Sequence, residues 1–179
     1  MRYALTGAHG TGKSSVLNGL ADYLATHQIA VLNNSSSARH IIQSGMNINE
    51  DGDDLVQLIV QSSHVQKFCR DRWFADRCVI DGYAYTEYLH KQGKVSAETL
   101  NITKELMRKF LPLYDFIFYV PIEFPIVDDQ VRSQASHFQR DIDDIIYKTL
   151  GEYDLTKKMI QLTGSVEDRI NQVKEILSL

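Results

Sequence analysis

Three observations predict an α/β chain built on a parallel sheet. Residues 7–14 read Gly-Ala-His-Gly-Thr-Gly-Lys-Ser and fit G-x-x-x-x-G-K-[ST]. A short apolar run, Tyr3-Ala4-Leu5, precedes this loop, and Val16, Leu17, Leu20, Tyr23 and Leu24 recur after it at helical spacing. Further on, short apolar runs alternate with helical stretches. They give a five-stranded parallel sheet with helices on both faces. The predicted fold is the P-loop three-layer sandwich, with residues 1–179 forming one domain. Right-handed crossovers then set the loop at the C-terminal edge of a central strand, where such sheets hold ligands.

The loop residues carry a definite chemistry. Gly7, Gly10 and Gly12 let the backbone turn tightly and bring the N–H groups of Ala8, His9 and Thr11 close to an anion. The helix that begins near Lys13 aims its free N–H groups, including that of Ser15, and its positive dipole end at the same point. Lys13 is expected to reach the β- and γ-phosphates, and the Ser14 hydroxyl to ligate Mg²⁺. ATP and Mg²⁺ are therefore the expected cofactors. No Asn/Thr-Lys-x-Asp guanine-reading motif is evident, which makes adenine the default base.

Composition excludes other classes. A chain of 179 residues, 44% hydrophobic and 23% charged, suits an ordinary globular domain with a sizeable core. Its net charge of −4 gives no global positive field toward nucleic acid or an anionic membrane. The two cysteines, Cys69 and Cys78, lack metal-ligand spacing and make a disulfide framework unexpected. The chain enters a strand at once, so no signal peptide is expected, and no apolar run is long enough to span a bilayer. The expectation is a cytoplasmic protein with no membrane partner.

Along the chain, Ala30-Val31-Leu32 reads as strand two and residues 37–44 as a short helix stopped by Gly45. Leu55, Leu58, Ile59, Ser62 and Val65 mark a longer helix ending near Cys69. Trp73-Phe74-Ala75 is a compact strand, and a helix is expected from Asp81 to His90. Ser96 caps the next helix, with Leu100, Ile102, Leu106, Met107 and Phe110 on its apolar side. Asp115 to Val120 is the clearest strand, ended by Pro121. Residues 125–138 look loop-like, Arg140 to Leu150 helical up to Gly151, and Met159 to Leu162 forms the last strand. Ser165, with Glu167 and Asp168, opens the final helix.

Phosphoryl transfer also needs an acid near the metal or the attacking hydroxyl, and cations for the moving phosphate. Two acids compete. Asp76 follows the Trp73–Ala75 strand and is joined to Arg77. Asp81 follows Val79-Ile80, which itself reads as a strand end. Arg132 and Arg140 lie in a segment around residues 125–140 that reads as a lid, where arginines neutralise charge and exclude water. Tyr83, Tyr85 and Tyr88 lie on the helix after Asp81; Tyr85 is a candidate to stack on a base, although helical spacing assigns at least one of the three to the core.

The stretch Asp76-Arg77-Cys78-Val79-Ile80-Asp81 resembles the Asp-Arg-Tyr segment of thymidylate kinases and the Glu-Arg-Ser segment of deoxynucleoside kinases. That resemblance implies that Asp76 serves Mg²⁺ or the acceptor hydroxyl, that Arg77 holds phosphate, and that Asp81 lines the acceptor pocket. Nearly the whole chain resembles the NadR-like, nicotinamide riboside kinase-like P-loop family. The residues that carry this resemblance are the P-loop, Ser36 to Ile42, Asp76-Arg77, Tyr114 to Pro121, Asp128 to Arg132 and Leu162 to Arg169. It implies Arg39 as an acceptor-side contact. Two positions depart from the pattern: Ser36 stands where relatives often carry glutamate, implying a different acceptor, and Gln130 stands where glycine is usual, implying a differently shaped lid hinge.

Three functions are carried forward. The first is an ATP-dependent kinase of a small nucleoside or nucleotide. The second, which the resemblance also opens, is a phage-type kinase of 5-hydroxymethyluracil in DNA; Lys67, Arg70, Arg72 and Arg77 would form its cationic cluster for the backbone. The third is a nucleotide-controlled binding module with slow ATP hydrolysis. A homodimer is left open.

Overall fold

The computed structural model describes residues 1–33, 41–123, 136–153 and 158–178. Its elements are β1 (Arg2–Thr6), α1 (Lys13–Thr26), β2 (Ala30–Leu32), α2 (Asp54–Gln66), β3 (Trp73–Asp76) and α3 (Val79–Lys91). They continue with α4 (Ala97–Phe110), β4 (Phe116–Tyr119), α5 (Ser136–Glu152), β5 (Met159–Gln161) and α6 (Val166–Leu177). The sheet has five strands in the order β2-β3-β1-β4-β5, and every pairing is parallel.

Alternation along the strands divides the core. Tyr3, Leu5, Phe74 and Phe118 point to one face, where Val16, Leu17, Leu20 and Leu24 of α1 and Val173 and Leu177 of α6 cover them. Ala4, Trp73, Ala75, Ile117 and Tyr119 point to the other, beneath α3, α4 and α5. Both faces of the central strands are thus dry, which is why these strands read as continuous apolar runs. Phe74 and Phe118 stack at 5.5 Å between centroids, and each buried ring contributes about 1.5–3 kcal/mol through the water it sheds.

Register fixes the geometry of the site. β3 sets Asp76 beside Leu5, and β4 sets Tyr119 beside Thr6, so both strands end level with the entrance to the glycine-rich loop.

Several boundaries differ from expectation. Val79 and Ile80 are not a strand end; they open α3, because Cys78 and Asp81 form a capping box there. The helix expected from Arg140 starts at Ser136 and runs through Gly151, which lies inside it. In α2 the buried residues are Val56, Gln57, Gln61 and His64, while Leu55 and Ile59 face solvent. The apolar periodicity there pointed to the wrong face, since polar side chains with internal partners occupy the inner one. Gly45 does stop a helical turn at 41–43, with positive φ and the Gly45 N–H donating to the Ile42 carbonyl. The segment 34–40, with Ser36 and Arg39, lies outside the described residues, as does 124–135, with Asp128, Asp129, Gln130 and Arg132.

Candidate active site at the P-loop

The loop 7–14 joins β1 to α1 and is largely buried. Gly7 has φ +142°, and a Cβ there would stand 2.4 Å from the Val120 carbonyl oxygen, so only glycine allows the loop to lie against the end of β4. Gly12 caps α1 in the left-handed conformation. The Lys13 ammonium donates to the Ala8 carbonyl and, at 3.1 Å, to Thr11 Oγ1. It is folded over the cradle it would share with a phosphate.

Ser14 Oγ donates to Asp76 Oδ2 at 2.7 Å, bringing together the two residues expected to serve a metal. Asp76 is 5% exposed, and its other oxygen, Oδ1, is buried with no hydrogen-bond partner among the described residues. A hydroxyl and a carboxylate at the phosphate cradle, with one oxygen left over, suit a hard oxygen-seeking cation such as Mg²⁺.

Arg77 leaves β3 with φ +68°, a left-handed conformation in a residue with a side chain. Its guanidinium bonds Asp81 Oδ1 at 3.1 Å and the Tyr85 hydroxyl at 3.4 Å, and it stacks over the Tyr85 ring at 5.2 Å. Burial pulls its pKa down, but Tyr85, Asp81 and Asp76 outweigh burial and raise it, so the cation is secure. Asp81 is 1% exposed, and its Oδ2 accepts from Thr6 Oγ1 at 2.9 Å and from the Cys78 N–H at 2.8 Å. Both Asp81 oxygens are thus engaged within the chain.

The acceptor-side expectation for Tyr85 meets a half-buried ring beside the loop. His9 Nδ1 lies 3.1 Å from the Tyr85 hydroxyl, and Phe138 packs edge-on at 5.7 Å. Tyr83 and Tyr88 belong to the core. Arg140 sits exposed on α5, one residue after Gln139, whose amide donates to the His9 carbonyl at 2.7 Å.

The cationic cluster does not assemble. Lys67 is buried below the end of β3, whereas Arg72 lies at the other end of that strand and donates to the His27 carbonyl at 2.9 Å.

Two residues beside the loop were given no role from sequence. Arg169, fully buried in α6, donates to the Thr11 carbonyl at 2.7 Å and pairs with Glu123 at 2.9 Å, bracing the loop from behind. Asp143 on α5 accepts from the Tyr119 hydroxyl at 2.8 Å. Burial raises its pKa, against the lowering effect of the Tyr119 hydroxyl, the Ala8 amide and Lys13. Neither has a local signal, since each acts on a loop more than a hundred residues away in sequence.

A glycine-rich cradle with an adjoining acid and a half-buried arginine on this sheet order defines a P-loop α/β protein. A family model described as an AAA domain matches residues 2–169, and the chain belongs to that family. No curated protein matches. Among solved structures, the chain is similar to the NadR protein in complex with NR, with TM-score 0.75 and 16% identity over 99% of this chain and 51% of that one. It is also similar to deoxyadenosine kinase from M. mycoides with products dCMP and dCDP bound, with TM-score 0.70 and 10% identity over 99% and 98%. A third is thymidylate kinase from Ehrlichia chaffeensis, with TM-score 0.66 and 16% identity over 100% and 98%. The chain therefore spans about half the length of NadR and nearly all of the two smaller kinases. At these identities the likeness establishes the fold. Among the described residues, no helix is long and apolar enough to cross a membrane.

Proposed function

We propose that the chain transfers the γ-phosphoryl group of Mg²⁺·ATP to a hydroxyl or phosphate of a small nucleoside- or nucleotide-type acceptor. The observation that carries this reading is the Ser14–Asp76 contact at the mouth of the P-loop, with one Asp76 oxygen buried and unpartnered. Ser14 and Asp76 would hold Mg²⁺, whose charge offsets that of the β- and γ-phosphates. Lys13 exchanges the Ala8 carbonyl and Thr11 hydroxyl for phosphate oxygens. Asp76 also orients the acceptor hydroxyl or takes its proton. Arg77, held by Asp81 and lying over the Tyr85 ring, meets the charge of the moving phosphoryl group.

Asp81 enters this scheme through Arg77, because its own oxygens are already used. Tyr85, beside His9, is the aromatic wall offered to an acceptor. Arg39 as an acceptor contact, Arg132 as a lid arginine, and Arg140 at the start of α5 complete the proposal. The fold relatives support an acceptor of nucleoside type, one carrying NR and another dCMP and dCDP. A cytoplasmic setting goes with this reading.

The test is the rate of ATP consumption with candidate acceptors absent and then supplied. A kinase should consume ATP slowly until its acceptor arrives. Rapid turnover that no acceptor alters would overturn the proposal in favour of a nucleotide-driven switch. Turnover that only DNA stimulates, and that falls steeply with salt, would move the acceptor to nucleic acid.

A further inference from the structure

The left-handed residue at the exit of β3 has a specific cause. Lys67, 7% exposed at the end of α2, donates to the carbonyls of Asp76 at 3.1 Å and Arg77 at 2.8 Å. Successive carbonyls of a regular strand point in opposite directions, so a single ammonium can donate to both only where the chain turns between them. That turn is Arg77, at φ +68°. The third ammonium proton is directed at His64 Nδ1, 3.2 Å away, in the buried face of α2. Burial, with the cations of Lys67 and Arg77, keeps His64 well below its usual pKa, so its imidazole is neutral and able to accept. Three donors thus meet three acceptors, and no proton is left for a ligand.

We infer that Lys67, backed by His64, is a positioning residue that locks the kink at the end of β3 and so aims Asp76 and Arg77 at the P-loop. The kink separates the tasks of adjacent side chains. With the kink, Asp76 reaches Ser14 while Arg77, the next residue, reaches Asp81 and Tyr85. In an extended chain their side chains would alternate across the sheet and lose one of these partners. A left-handed arginine is disfavoured on its own and persists only where its surroundings hold it. The catalytic part of this inference rests on the proposed roles of Asp76 and Arg77. The kink itself does not.

Two measurements test it. The first compares the melting temperatures of Arg77→Gly and Arg77→Ala, each with and without Lys67→Met. Both backgrounds lack the guanidinium and differ in their tolerance of positive φ. With Lys67 present, the glycine variant should melt about 2–4 °C above the alanine variant. With Lys67→Met that advantage should vanish or reverse, because a released backbone leaves glycine only its larger entropy cost. An equal advantage in both backgrounds, or none in either, would overturn the inference. Should Lys67→Met not fold, Lys67→Gln takes its place in the same comparison.

The second measures ATP affinity in EDTA and in Mg²⁺. Lys67→Met should bind free ATP within about 2-fold of the unaltered protein yet lose about 10-fold of the gain that Mg²⁺ brings, as removed supporting partners of metal ligands do. General damage would weaken both. An unchanged Mg²⁺ gain would contradict the aiming of Asp76 by Lys67. If the unaltered protein bound no ATP, the proposed function would fall, and the melting comparison would still decide the kink.

Discussion

Asp76 is the residue on which the proposed chemistry turns. A buried carboxylate with an unpartnered oxygen costs stability unless a cation completes it. Asp76→Asn should therefore reduce phosphoryl transfer far more than it reduces binding of free ATP, as read by single-turnover rates beside calorimetric affinity. Asp81→Asn should chiefly lower thermal stability and loosen Arg77, since its oxygens serve Thr6, Cys78 and Arg77. The opposite ranking for transfer would place the acid at Asp81. Lys13→Ala should lose on the order of 10³-fold in transfer rate, because its ammonium is the cation proposed to leave the Ala8 carbonyl for the phosphates; a near-normal rate would remove the mechanism. Asp143 gives a pH test. Its folded carboxyl holds its proton to higher pH than the unfolded chain does, so the native state loses stability as pH rises from the ordinary carboxylate value through the raised one. Relative to the unaltered protein, Asp143→Asn should gain melting temperature from pH 4 to pH 7, by on the order of 2 °C. A difference that stays flat across that range would contradict burial as the dominant influence on Asp143.

At the level of elements, the strand–loop–helix unit was legible because its signals are local. The apolar run, the spaced glycines and the helical repeat all lie within residues 3–24. Gly7→Ala tests the unit directly, because the added methyl meets the Val120 carbonyl at 2.4 Å in a backbone conformation that alanine resists. That variant should lose ATP binding and melt lower, while full ATP affinity would mean the loop does not need to lie against β4. Ser96 and Ser165 announced their helices equally well, and each hydroxyl accepts from the N–H three residues on. Reading failed where tertiary contacts decide. Val79 and Ile80 are apolar enough for a strand, yet Asp81 reaches back to the Cys78 N–H and starts a helix. Leu55 and Ile59 suggested the inner face of α2, but Gln61 fills it by donating to the carbonyls of Val79 and Thr103. Lys67 looked like one more cation in a row of arginines, because its acceptors are carbonyls that appear only once the fold has formed.

Across the whole molecule, the sheet order brings β1, β3 and β4 side by side and sets the loop, Asp76 and Tyr119 along one edge. The alternation of strands and helices predicted that edge. It could not predict which distant side chains brace it, such as Arg169 behind Thr11 or Gln139 on His9. The acceptor is the least legible part, because the residues proposed to meet it, Arg39, Tyr85 and Arg140, are scattered along the sequence rather than gathered in one motif. The central claim is transfer of a phosphoryl group to another molecule, and labelled transfer reads it most directly. The protein would be given ATP labelled at the γ-phosphate together with a panel of nucleosides, nucleoside monophosphates, nicotinamide riboside, and DNA with and without hydroxymethyluracil. Label on one small acceptor, abolished by Lys13→Ala and Asp76→Asn, is the expected result. Label on none, with free phosphate released at one rate whatever is added, would contradict the account.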